Sequence, residues 1–277
     1  SSDLIGGTST IGGTSTGAIT LGAATLADGA TLTVGTGIAN AISLSSVTGT
    51  ASGTASNLTI NTTGAVTASG AIGTDIGTFT LTNSGGTTLS GAVSATTVTL
   101  TNTTGTIAFN GALTATTLNT AAQGYNVGLN ATTGTITNAV TFSNTGTLGL
   151  GASGGTLAFT GGITATAPST VTVNGTLTAA GTAVMSLGTV SVASNSTIGG
   201  TSTGQITLGA TTLADGVTLT LGTGIANTIS LSSISGTASG SASNVTINTT
   251  GAVTASGAIG TDIGTVTITN SGGSTFS

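Results

Sequence analysis

The sequence predicts an all-β chain wound as a parallel β-solenoid, a right-handed β-helix, with coils of about 20 residues. Three observations point to it. Short segments of the form apolar–Thr–apolar recur along the chain, as in FTLT from Phe79, VTLT from Val98, VTV from Val171 and VTIN from Val245. They begin near Ala30, Leu58, Phe79, Val98, Leu118, Val140, Val171, Val190 and Val217, evenly spaced except for longer gaps after Ala30, Val140 and Val190. Gly and Asn follow them repeatedly: Asn61 to Gly64, Asn102 to Gly105, Asn144 to Gly146, Asn174-Gly175 and Asn248 to Gly251. Finally, residues 196–277 restate residues 9–90 without a gap, 69 of 82 positions being identical.

The strands follow from side-chain branching. Thr, Val and Ile are stiff at χ1 and suit a pleated surface. Alternation then sends Val, Ile, Leu and Ala inward and Thr and Ser outward. The corners are assigned to Gly and Asn because both tolerate the left-handed backbone that tight turns need. A short, regular period built from such pieces fits stacked coils of about three short strands, each strand pairing with its equivalent in the next coil. The three longer gaps are expected to carry loops. No segment sustains a helical period, and Thr and Gly are poor helix formers. An array of β-sandwich modules is the structural alternative, but those modules need a longer period and usually show a core Trp or Tyr.

The repeat defines the organisation. A tandem unit spans 9–195, and a partial second copy, 196–277, matches 9–90. Substitutions between the copies keep their character, as in Val34/Leu221, Val47/Ile234, Leu58/Val245 and Thr54/Ser241. Each side chain therefore has an assigned face. Residues 1–277 are expected to form one continuous solenoid segment, opening at Ser1 without Met and representing a piece of a longer array.

Composition narrows the chemistry. Thr, Ser and Gly supply 150 of 277 residues, while Lys, Arg, His, Cys, Glu and Trp are absent. Without cations the chain cannot displace the counterions of a nucleic acid. Without His or Cys it cannot hold zinc or haem. No run reaches the ~18 apolar residues of a membrane helix, and 2% aromatic residues are too few for the girdles of a membrane barrel. No membrane insertion and no cofactor are expected.

The acids are Asp3, Asp28, Asp75, Asp215 and Asp262, of which Asp28/Asp215 and Asp75/Asp262 are repeat equivalents. Asp28 and Asp75 are separated by about two coils and could stack on one face. A carboxylate pair can cleave glycosides, yet no basic residue is present to steady developing charge. The preferred reading places Asp28-Gly29 and Asp215-Gly216 in turns, and Asp75 and Asp262 in the corner GTDIGT. Asp75 and Asp262 are also the calcium candidates, although Ca²⁺ requires several oxygen ligands. Tyr125 and Met185 are expected to fill local gaps. No catalytic residue is assigned.

The stretches VTLTNTTGTIAFNG and GALTATTLNTAAQGYNVGLN resemble the repeats of large bacterial exoproteins of the filamentous haemagglutinin and autotransporter-passenger type. The resemblance implies a right-handed β-helix, exported and displayed as a long fibre for adhesion, surface coating or biofilm-matrix building. The chain differs from such fibres in its lack of charge. The expectation is a non-enzymatic extracellular filament or cell-surface fibre that self-associates end to end or laterally. The alternative is the stalk of a surface adhesin whose binding domain, for a carbohydrate or other surface target, lies elsewhere. An ice-binding solenoid is the third reading; it requires T-x-T at one fixed coil position, whereas VTL, VTF, VSV and VTI offer a single central hydroxyl.

Overall fold

The computed structural model of the chain describes residues 3–238 and 240–277. Among them there are strands and turns but no helix, so none is long and apolar enough to cross a membrane. The strands stack in parallel as a β-solenoid, and the chain divides into two compact units, Ser1–Ala131 and Thr132–Ser277. The division falls inside the sequence unit 9–195.

In the first unit six turns stack on three faces. The first face carries Ser9–Ile11, Thr31–Val34, Ser56–Asn61 and Ile76–Asn83, then the C-terminal halves of Val93–Leu100 and Leu113–Thr120. The second carries Ile19–Leu21, Ile42–Leu44, Val66–Ala68, Thr87–Leu89, Thr106–Phe109 and Asn126–Leu129. The third carries Asp3–Ile5, Ala24–Leu26, Val47–Gly49 and Ile72–Gly73, then the N-terminal halves of the same two long strands. The second unit has six full turns and part of a seventh on three faces, and its residues 196–277 pair in the registers of residues 9–90.

Inside each unit like stacks on like. Leu32, Leu58, Phe79, Val98 and Leu118 are register partners on the first face and are all buried. Each such side chain removed from water contributes ~1.5–3 kcal/mol, so the narrow core stabilises by repetition instead of by bulk. The ladders satisfy the backbone turn by turn, as parallel strands in register do. Phe142 and Phe159 of the second unit meet edge to face with centroids 6.4 Å apart.

The register explains the sequence spacing and corrects part of it. Leu58, Phe79, Val98 and Leu118 are the same position in successive turns, so their spacing is the coil length itself. Val140, Val171 and Val217 are not: Val140 pairs with Ile163, Val171 with Leu148 and Val190, and Val190 with Thr211. The long gaps after Val140 and Val190 therefore reflect a change of face and not a loop. Two turns are lengthened, the one from Leu32 to Leu58, where residues 50–55 bulge out between Val47–Gly49 and Ser56–Asn61, and its repeat equivalent from Leu219 to Val245.

The corners also differ from expectation. Among the described residues the only non-glycine positions with positive φ are Thr74, Asp75, Thr261 and Asp262, so the corner asparagines do not use the left-handed region. Polar corner side chains turn inward instead. Asn40, buried, donates from Nδ2 to the carbonyls of Ser15 (2.7 Å) and Gly17 (2.6 Å) in the preceding turn. The buried Thr62 hydroxyl donates to the Ile38 carbonyl at 2.8 Å and accepts from the Gly64 amide at 2.9 Å. Ser84 and Thr103 continue the line, the Ser84 hydroxyl donating to Thr103 Oγ1 at 2.8 Å. Ser202, Asn227 and Thr249 repeat the device in the second unit. Coils this similar could slip by one register, and a buried polar group left without its partner costs ~1–3 kcal/mol. The corner spine thus penalises the slipped pairings.

Candidate functional site

Two kinds of feature could meet a partner: the acidic corners and the outward hydroxyls. Asp28 and Asp75 both lie where the third face of the first unit passes to the first face, two turns apart. Asp28-Gly29 forms a turn closed by the Ala30 amide donating to the Ala27 carbonyl at 2.9 Å, and Gly29 has φ +66°. The bulge of the intervening turn separates the two acids, and its Thr54 carbonyl accepts from the Gly29 amide at 2.7 Å. The Asp28 carboxylate packs against Gly53 of that bulge. No carboxylate pair is assembled.

Asp75 sits in the corner GTDIGT, as does Asp262 in the second unit. Thr74 and Asp75 take φ of 48° and 59°, and Thr261 and Asp262 take 32° and 61°. The preceding turn holds this backbone from both sides of its bulge: the Gly49 amide donates to the Thr74 carbonyl (2.7 Å) and the Ser56 amide to the Asp75 carbonyl (3.0 Å). Oδ2 of Asp75 and of Asp262 is buried without a hydrogen-bond partner. Each corner offers one carboxylate, and among the described residues no group of three or more His, Cys, Asp or Glu comes together. Ca²⁺ takes six to eight oxygens, so a site here would rest on one carboxylate and main-chain carbonyls.

Tyr125 does more than fill a gap. Its ring is buried, and its hydroxyl donates to the Leu100 carbonyl (2.9 Å) while accepting from the Ala121 amide (2.9 Å). Burial raises its pKa above the usual 10.0, partly offset by the Ala121 hydrogen bond.

The hydroxyls form columns. In the second unit Thr133, Thr156, Thr176, Thr197, Thr220, Thr246 and Thr267 are successive register partners on one face. Thr141, Thr164, Ser186, Thr207, Ser230, Thr254 and Thr275 do the same on another. On its last three turns the first of these columns is doubled, Thr218, Asn244 and Thr265 standing two residues before Thr220, Thr246 and Thr267; the first face of the first unit carries the same two adjacent columns over five turns. One is Thr31, Asn57, Thr78, Thr97 and Thr117; the other, two residues on, is Thr33, Thr59, Thr80, Thr99 and Asn119. The strands there read T-x-T, N-x-T, T-x-T, T-x-T and T-x-N, which overturns the expectation of one central hydroxyl per strand. The signal was present in TLT from Thr31 and in TFT from Thr78, but the apolar–Thr–apolar frame hid the flanking threonines.

Fold and surface together define a β-solenoid of stacked, hydroxyl-faced coils. No protein-family model, no curated protein and no solved structure matches the chain.

Proposed function

We propose that this chain is a structural, non-enzymatic segment of an extracellular filament or cell-surface fibre, made of stacked coils and associating with further copies of the same repeat. The observation that carries this reading is the unbroken register of hydroxyl columns, seven partners long on two faces of the second unit, on a chain with no basic residue and only five acids. Long ladders of identical residues give a repeating surface without a localised reactive site. Low charge and scarce Pro favour association between β-rich surfaces, as in stacked assemblies. The resemblance to filamentous exoproteins agrees with this role, and with display at the cell surface.

Immunogold labelling of intact producing cells tests it. Label along fibres outside the cell supports the proposal; label confined to the cell interior contradicts it. The adhesin-stalk version predicts, in addition, that label sits below a distal head.

A further inference from the structure

We infer that the first face of the first unit binds ice, the ligand being the ordered water of a crystal face. The inference rests on the doubled column, independently of the filament role. Adjacent parallel strands lie ~4.8 Å apart, and residues two positions apart on one strand lie ~6.6 Å apart. The ten side chains of the two columns thus form a rectangular two-by-five array with these repeats, close to the oxygen repeats on a prism face of hexagonal ice. Eight of the ten are Thr, and none is ionisable.

The array has the rigidity and chemistry that ordering water needs. Thr is restricted at χ1 by its branched Cβ, and the residues between the columns, from Leu32 to Leu118, form the buried ladder described above. The two Asn positions keep to the pattern: Asn57 donates to Thr31 Oγ1 and Asn119 to Thr99 Oγ1, each at 3.4 Å. Methyl groups in a fixed row leave first-shell water few orientations, and the neighbouring hydroxyls anchor it by hydrogen bonds. A charged group would hold its own hydration shell against the lattice, and none stands in the array. A protein partner fits less well, because the array lacks the Trp, Tyr or Arg anchors that dominate protein interfaces. The second face of the same unit is the natural contrast: its single column passes from Thr67 and Thr88 to Ala108 and Gly128.

The test uses the full chain. Thermal hysteresis and partition into a slowly grown ice hemisphere are measured for the wild type, for T80Y and T99Y within the array, and for T88Y on the second face. The expected result is hysteresis with faceted crystals for the wild type and T88Y, and a several-fold loss for T80Y and T99Y with unchanged circular dichroism. T80S, which removes one methyl and preserves the hydroxyl, guards against misfolding of the larger variants and should lower hysteresis while melting normally. Absence of hysteresis in the wild type, or activity equal in wild type, T80Y and T80S, would overturn the inference. So would a wild-type dimer that T80Y dissociates, without hysteresis, since the array would then seat a second copy.

Discussion

A Cβ placed on Gly53 would collide with Oδ1 of Asp28, and Gly53 holds φ at +108°. The equivalent pair in the second unit, Gly240 and Asp215, shows the same approach. Both the contact and the backbone exclude a side chain, so Gly53→Ala should destabilise the first unit by on the order of 2 kcal/mol. Thermal unfolding checks this, and adding Asp28→Ala should recover part of the loss by removing the clash. A Gly53→Ala melting curve that overlays the wild type would mean that the bulge is not held in this form.

Tyr125 should give the molecule its alkaline limit. Phenol ionisation is disfavoured by burial, so the folded pKa lies above the unfolded value near 10.0. Stability from this group is complete below the unfolded pKa and is lost as pH rises toward and through the folded one. Unfolding followed upward from pH 9 should show that loss in the wild type and not in Tyr125→Phe. At neutral pH the Phe variant should be less stable by ~1–2 kcal/mol, because the Ala121 amide and the Leu100 carbonyl lose their shared partner.

The corner GTDIGT separates strain from metal binding. A β-branched residue at positive φ is an outlier, so Thr74→Gly should raise the melting temperature, by about 1 kcal/mol of stability. Calcium titration of the wild type should leave that temperature unchanged. A calcium-dependent rise that disappears in Asp75→Asn would restore the metal reading.

The face that a side chain occupies sets the cost of changing it. Phe79 is fully buried, and Phe79→Ala should cost ~3–5 kcal/mol. Thr80, next to it on the same strand, points outward, and Thr80→Ala should fall within about 0.5 kcal/mol of the wild type. Chemical denaturation of both variants provides the comparison.

Much of the fold was legible in the sequence because each turn restates the last. Leu58, Phe79, Val98 and Leu118 show the coil length directly, since they are partners in register. The positions of Val140, Val171 and Val217 were misleading: with three faces using similar motifs, sequence spacing does not reveal which face a strand occupies. The turns at Asp28 and Asp75 could be read from Asp-Gly and GTDIGT, but the inward corner spine could not. Asn40, Thr62 and Ser84 look like ordinary turn residues, and only stacking shows that their partners come from neighbouring turns. The doubled column was missed for a related reason: a hydroxyl array is a property of several strands in register, and one strand at a time shows only Thr among Thr.

Electron microscopy of the purified native material, with diffraction from aligned specimens, decides whether the stacked coils build a fibre. Filaments are expected whose strands run across the long axis, giving a meridional repeat of ~4.8 Å. Monodisperse particles that neither elongate nor bundle at any concentration would contradict the filament reading.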